Sequence, residues 1–170
     1  MKKSILALTI LTITSSTSFA ASSWGIDNEK ITRVDAKVVD LLCEVTGNCV
    51  PKCGNGKRQF GLLFDDGKLV PVVKNIEPFA GASNDLVQFC NKRITADGLM
   101  INSKTMPLFA LQFKRLAPDG KWSRANQFGK DWSKANGGKK TDQWFRNDPK
   151  VKSLIKSQGI FGILGLKPEE

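Results

Sequence analysis

The sequence predicts a mainly β fold with short helices: a five-stranded barrel with one helix between its third and fourth strands, continued by a Trp-rich helical C-terminal extension. Three observations lead there. In "ITRVDAKVVD" apolar residues recur at alternate positions, the period of a strand with one face buried. The Asp66-Gly67 step joins two apolar runs, a strong short-range hairpin signal. Aromatic residues at helical spacing are confined to the chain beyond Leu116, where three of the four tryptophans lie.

Residues 21–33 read as a polar N-terminal segment and residues 34–116 as the barrel. From Ile31, "ITRVDAKVVDLLC" puts Val34, Ala36, Val38 and Asp40 on one side of a first strand. A cysteine-rich loop follows. "RQFGLLFDDGKLVPVV" supplies the second and third strands around Asp65-Asp66-Gly67-Lys68, and Pro71, lacking an amide hydrogen, belongs at an edge or bulge. "KNIEPFAGASNDLVQFC" breaks the strand pattern, and Ser83 or Asn84 can cap a short helix carrying Leu86, Val87 and Phe89. "KRITADGLMI" and "MPLFALQFKRL" give the fourth and fifth strands around a turn at Asn102-Ser103-Lys104. In the extension, residues 117–170, Trp122, Ala125, Phe128, Gly129 and Trp132 suggest an amphipathic helix ending before Asn136-Gly137-Gly138. A second helix starts at Pro149, with Val151, Leu154 and Ile155 on one face. The extension is expected to pack on the barrel and close its open side.

This order of elements, with "VVDLLC", "CVPKCGNGKRQFGLLFDDGKLV", "FC" and "ITADGLMI", resembles small exported bacterial OB-fold-like modules that carry a cysteine-bearing loop between the first two strands. The resemblance spans about half of the chain, residues 34–116. It implies a binding site on strands two and three and the loops around them, here Lys57, Arg58, Gln59, Lys68 and Lys74.

Residues 1–20, "MKKSILALTILTITSSTSFA", have the three parts of a secretory signal: Lys2 and Lys3, an apolar run, and small residues before a cleavage point after Ala20. The run is interrupted by serine and threonine from Thr14, short of the ~20 apolar residues a spanning helix needs. The expected mature chain is a single domain, periplasmic, with no later membrane span. Removing Lys2 and Lys3 from 26 basic residues leaves 24 against 16 acidic ones, a net charge of +8. Such a balance favours anionic envelope ligands, while nucleic acid is a poor partner for an exported chain.

The chain contains no histidine and no tyrosine. Ser-His-Asp and Cys-His hydrolysis and histidine-based metal sites are thereby excluded. Neither a phosphate loop nor GxGxxG occurs. Catalysis would rest on carboxylates such as Asp65, Asp66 and Asp97, of which the first two already serve a turn; a non-enzyme is the expectation.

Cys43, Cys49, Cys53 and Cys90 form an even set in an exported chain, which points to disulfide staples. Three pairings are open, and if all four are joined at least one bridge is long-range. The alternative is a copper or thiol-disulfide carrier: Cys43, Cys49 and Cys53 could present three thiolates to a soft ion, with Lys52, Lys57 and Arg58 favouring the thiolate form. Gly54-Asn55-Gly56 beside Lys57 reads as a glycine turn or as an anion-binding nest of amides. The leading expectation is a non-enzymatic binding or accessory module without a cofactor. Its partner is another envelope protein or an anionic envelope ligand. A second docking candidate is "GIFGILGL", residues 159–166, with Ile160, Phe161, Ile163 and Leu164, where glycines separate apolar residues.

Overall fold

A computed structural model describes residues 20–74, 81–142 and 144–166, so the expected signal lies outside the described residues except for Ala20. The five long strands are β1 (Glu29–Asp40), β2 (Phe60–Leu63), β3 (Leu69–Lys74), β4 (Arg93–Asn102) and β5 (Pro107–Leu116). β1 pairs antiparallel with both β2 and β4, β2 with β3, and β4 with β5. A parallel pairing of Val72, Val73 and Lys74 with Phe109, Ala110 and Leu111 closes the barrel. This is the expected OB-like order, with a helix between strands three and four.

Alternation explains the core. Ala36 and Val38 of β1, Phe60 and Leu62 of β2, and Val70 and Val72 of β3 point inward, with Ile94, Ala96, Phe109 and Leu111 facing them. β4 is buried along most of its length because both neighbours and the N-terminal residues cover it. A bulge at Asp97/Gly98 bends it tightly, and a Cβ on Gly98 would lie 2.1 Å from the Ala110 carbonyl oxygen, so only glycine fits.

Several boundaries differ from the expectation. β1 starts at Glu29, because residues 29–33 pair with residues 97–101 of β4 and so belong to the sheet although they are mostly polar. It ends at Asp40, whose carboxylate accepts the amides of Leu42 and Cys43 (3.0 and 3.3 Å) and caps α1 (Leu41–Thr46). The apolar "LLC" thus turns into a helix. α2 (Ala82–Leu86) begins after Gly81, at φ 88°, and neither Ser83 nor Asn84 is its cap. Phe128 sits against Gly81 so closely that a Cβ there would be 2.4 Å from the Phe128 Cβ. The Ser83 hydroxyl donates to the Arg58 carbonyl instead.

In the extension, β6 (Ser123–Arg124) adds to β5, and Ala125 enters the core. Trp122 is therefore outside the helix predicted for it; its ring lies between the Arg33 and Arg115 guanidinium groups, each 4.8 Å from the centroid. α3 (Gln127–Ala135) docks on α2 through Phe128 and through the Gln127 amide, which donates to Asp85. α4 (Trp144–Asn147) packs Trp144 edge-on to Phe128, at 4.8 Å between centroids. α5 (Pro149–Gln158) has the predicted proline start, capped by the Asp148 carboxylate, which also accepts from the Trp132 indole at 2.7 Å. The extension packs through β6 and α3. Beyond Val151 it does not: Leu154 and Ile155 remain exposed.

Candidate functional site

The cysteines form two bridges, Cys43–Cys49 and Cys53–Cys90. The first closes α1 on itself; the second ties the loop to the turn after α2. Between them, Lys52, Cys53, Gly54 and Asn55 all adopt left-handed backbone (φ 49–71°), a run that costs about 1–2 kcal/mol for each non-glycine residue. Burial of Cys53 and its bridge hold this turn in place. With all four sulfurs paired, the three-thiolate set Cys43, Cys49, Cys53 is not assembled. Among the described residues no group of three or more cysteine or carboxylate side chains is placed to hold a metal.

The five basic and polar candidates on the barrel do not form one surface. Lys57, Arg58 and Gln59 lie together just before β2. Arg58 is directed inward, pairing with Asp40 (3.1 Å) and with Asn48, and so spans the cysteine loop. Gln59 and Arg58 rim an open apolar cleft of about 440 Å³ whose floor is Leu41, Leu42 and Val45. Lys68 is exposed but sits past the far end of β2, roughly 13 Å away at the rise of a strand. Lys74 is a correction: it is buried, its ammonium 3.6 Å from Asp85, inside the barrel end that α2 covers. Lys114 holds the other Asp85 oxygen at 2.8 Å. Burial pushes the Lys74 ammonium below its ordinary 10.5, against the pull of Asp85 and with a further push from Lys114.

The carboxylates raised as catalytic candidates are apart and engaged. Asp65 makes a two-pronged pair with Arg93 (both 2.6 Å), which holds its carboxyl below the usual range. Asp66 accepts the Lys68 amide, and Asp97 is buried against Arg33.

Phe161 and Leu164, the docking candidates, are 53% and 76% exposed. Leu154, Ile155, Ile160, Ile163 and Leu166 are exposed with them. The local backbone explains why. Gly159, Gly162 and Gly165 all have positive φ, and the Gly162→Gly159 and Leu166→Ile163 amide bonds fold the segment into two turns. A Cβ at Gly159 would meet the Ile163 carbonyl at 2.6 Å. The turns splay the apolar side chains outward rather than stacking them on α5. On α5 itself Val151, Leu154 and Ile155 share one face, with Lys150 and Lys152 flanking it and Lys156 on the far side.

Sequence reasoning missed a lysine-lined cavity of about 570 Å³ between α3 and the following loop, where Lys130, Lys134, Lys139 and Lys140 converge with Ser133 and Thr141. The signal was available: lysines at i and i+4 on the helix, then "GGKKT" turning back beside them. Charge is concentrated in this C-terminal third. Residues 117–170 hold 11 basic and six acidic residues, which is +5 of the +8 expected after signal removal.

Comparison with protein-family models, with curated proteins and with solved structures gives no match to this chain. Among the described residues no helix is long and apolar enough to cross a membrane, and the two disulfides suit an oxidising compartment.

Proposed function

We propose that the protein is a non-enzymatic periplasmic binding module, stapled by its disulfides, that attaches through α5 and residues 159–166 to an anionic membrane surface. The observation that carries this reading is the exposed run of seven large apolar side chains from Leu154 to Leu166, bordered on the helix by Lys150 and Lys152. A folded domain rarely leaves such a stretch uncovered unless it binds something. A short helix with a basic border lies in a membrane interface with its apolar face down and its lysines reaching up to head groups. The two turns then present Ile160, Phe161, Ile163 and Leu164 as apolar tips. The missing histidine and the separated carboxylates favour binding over catalysis.

A second reading has its own observation. The cleft at Leu41, Leu42 and Val45 lies beside the first strand-to-strand loop, one of the places where OB barrels hold ligands. Leu42 and Val45 are 44% and 71% exposed, which suits a protein partner presenting one apolar side chain. Copper held by the Cys43, Cys49 and Cys53 thiolates would first require both bridges to be reduced, whereas thiol-disulfide exchange would begin at one of them.

Co-sedimentation of the mature chain with vesicles tests the leading reading. Each lysine near an anionic surface contributes about 1 kcal/mol, so Lys150 and Lys152 predict roughly thirtyfold tighter binding to phosphatidylglycerol than to phosphatidylcholine vesicles. Phe161→Ser with Leu164→Ser should abolish binding without lowering the thermal midpoint. Equal partitioning to both vesicles, or a large loss of stability, would overturn it. A defined protein adduct from a photo-crosslinker at Val45, lost in Leu42→Asp, would favour the cleft.

A further inference from the structure

A buried carboxylate meets the backbone nitrogen that the expected cleavage would set free. Ala21 is 8% exposed, and its nitrogen lies 3.3 Å from Asp97 Oδ1, itself 2% exposed. Ala20, one residue earlier, is exposed. The other Asp97 oxygen is held by Arg33 through Nε (2.9 Å) and Nη2. The next residues are strapped down as carefully. The Ser22 amide donates to Gln112 Oε1 (3.0 Å), and Gln112 Nε2 returns a bond to the Ser22 carbonyl (2.6 Å). The Trp24 and Gly25 amides both donate to Glu29 (2.9 Å each), which the Ser23 hydroxyl also reaches. Residues 21–25 thus run along the barrel under fixed contacts to side chains of β1, β4 and β5.

We propose that Asp97 is the receiving site for the mature amino terminus: once the chain is cut after Ala20, the Ala21 α-ammonium forms an ion pair with it, and the cut thereby completes the fold. Hydrolysis by an export-associated endopeptidase adds one water across the Ala20–Ala21 peptide bond. The C–N bond breaks, a carboxylate stays on Ala20, and the Ala21 amine takes up a proton at neutral pH. The peptidase needs that bond extended and accessible, so it acts before Ala21 is buried. Before the cut, Ala21 offers Asp97 one neutral N–H. Afterwards it offers three hydrogens and a full positive charge, in a buried place where a charge-assisted bond is roughly twice as strong as a neutral one. The 3.3 Å separation is long for an amide bond and leaves room to tighten toward the ~2.7–2.9 Å of ammonium–carboxylate pairs. Arg33 already pairs with Asp97 through Oδ2, and the terminal ammonium would add a second cation at Oδ1, the oxygen facing Ala21.

The inference rests on the exported reading, and the experiment separates the two. Protein recovered from the periplasm is sequenced from its amino terminus, then treated briefly with acetic anhydride, and acetylation of the terminal peptide is followed by mass spectrometry. A start at Ala21 is expected, with its amine reacting at least about tenfold more slowly than that of the free peptide Ala-Ser-Ser-Trp-Gly, since an amine held as a paired cation is a poor nucleophile. Asp97→Asn should restore the peptide rate. If that variant does not fold, a chain extended by Gly-Ser ahead of Ala21 supplies the second measurement: displacing the charge should raise the unfolding equilibrium constant roughly 10- to 100-fold. A start at any other residue overturns the exported cleavage and this inference together. A start at Ala21 with peptide-like reactivity, or an extended chain as stable as the mature one, overturns this inference alone and leaves export standing.

Discussion

Removing the Cys53–Cys90 bridge should cost about twice as much stability as removing Cys43–Cys49. The perturbation is Cys53→Ala with Cys90→Ala, compared with Cys43→Ala plus Cys49→Ala. The sequence separations are 37 and 6, and the loop-entropy relation gives about 4 kcal/mol for the longer loop and about 2 kcal/mol for the shorter at 25 °C. Against a total of ~5–15 kcal/mol for a domain of this size, the first loss is severe and the second tolerable. With a urea slope of about 2 kcal/mol per molar, the unfolding midpoints should fall by about 2 M and about 1 M. Urea titration followed by tryptophan fluorescence reads both. The connectivity gives a sharper check: Cys53→Ala/Cys90→Ala should be little worse than either single change, whereas Cys43→Ala and Cys90→Ala should add. Equal midpoint shifts, or a larger shift from the short bridge, would refute the loop argument and shift the weight to local strain in the left-handed turn.

Two further outcomes follow from buried and capping charges. Asp85→Asn leaves the Lys74 and Lys114 ammonium groups buried without a counter-charge and should cost on the order of 3–5 kcal/mol by urea titration, whereas Lys74→Met keeps the closer Lys114 pair and should be neutral or mildly stabilising. Because burial depresses the folded Lys74, the unfolded chain binds more protons between that lowered pKa and 10.5. Wild-type stability should therefore gain a rising contribution with pH across that window, absent from Lys74→Met; matching alkaline profiles would contradict the assignment. Asp148 is held below its ordinary 3.8 by the Trp132 indole and the amides of Val151 and Lys150. Its stabilising contribution is complete above 3.8 and is lost as pH falls through the lowered pKa. Asp148→Ala should fray α5 at every pH, seen as faster amide exchange there, while β1 to β5 stay protected.

What the sequence made legible follows from the range of the interaction involved. The strand order was readable because period-two alternation and Asp66-Gly67 are local, and each strand needs only its own residues to declare itself. The ends of β1 were not. Glu29 and Arg33 are in the sheet because β4 is long enough to pair with them, and Asp40 ends it by using its side chain as a helix cap. Lys74 looked like surface because it is a basic residue at a strand end; it is buried because Asp85, 11 residues later, folds over that end with α2. Trp122 kept helical spacing with Ala125 and Gly129 by coincidence, its position being set by Arg33 and Arg115. The exposure of Phe161 and Leu164 was legible because glycine at every third position defeats a helix, a purely local signal. The lysine cavity was overlooked because its two walls were read separately, as a helix face and as a turn.

The placement of stabilising contacts bears on the proposed function. Both disulfides, the Arg58–Asp40 pair and the Asp85 cluster secure the cysteine loop and the barrel end beneath α2. The Ala21, Ser22 and Glu29 contacts secure β1, β4 and β5. In the extension, tight packing stops at the Trp132–Asp148 bond and the Phe128–Trp144 stack, and every large apolar residue described after Val151 is exposed. Under the proposed function, folding and binding would fall to different stretches of chain. The barrel can remain intact while α5 and the two glycine turns move from water to another surface, because no buried apolar residue among those described lies beyond Trp132. A binding segment that carried core residues would couple every docking event to the stability of the barrel, and the glycines at 159, 162 and 165 work against that coupling by keeping the apolar tips from folding back.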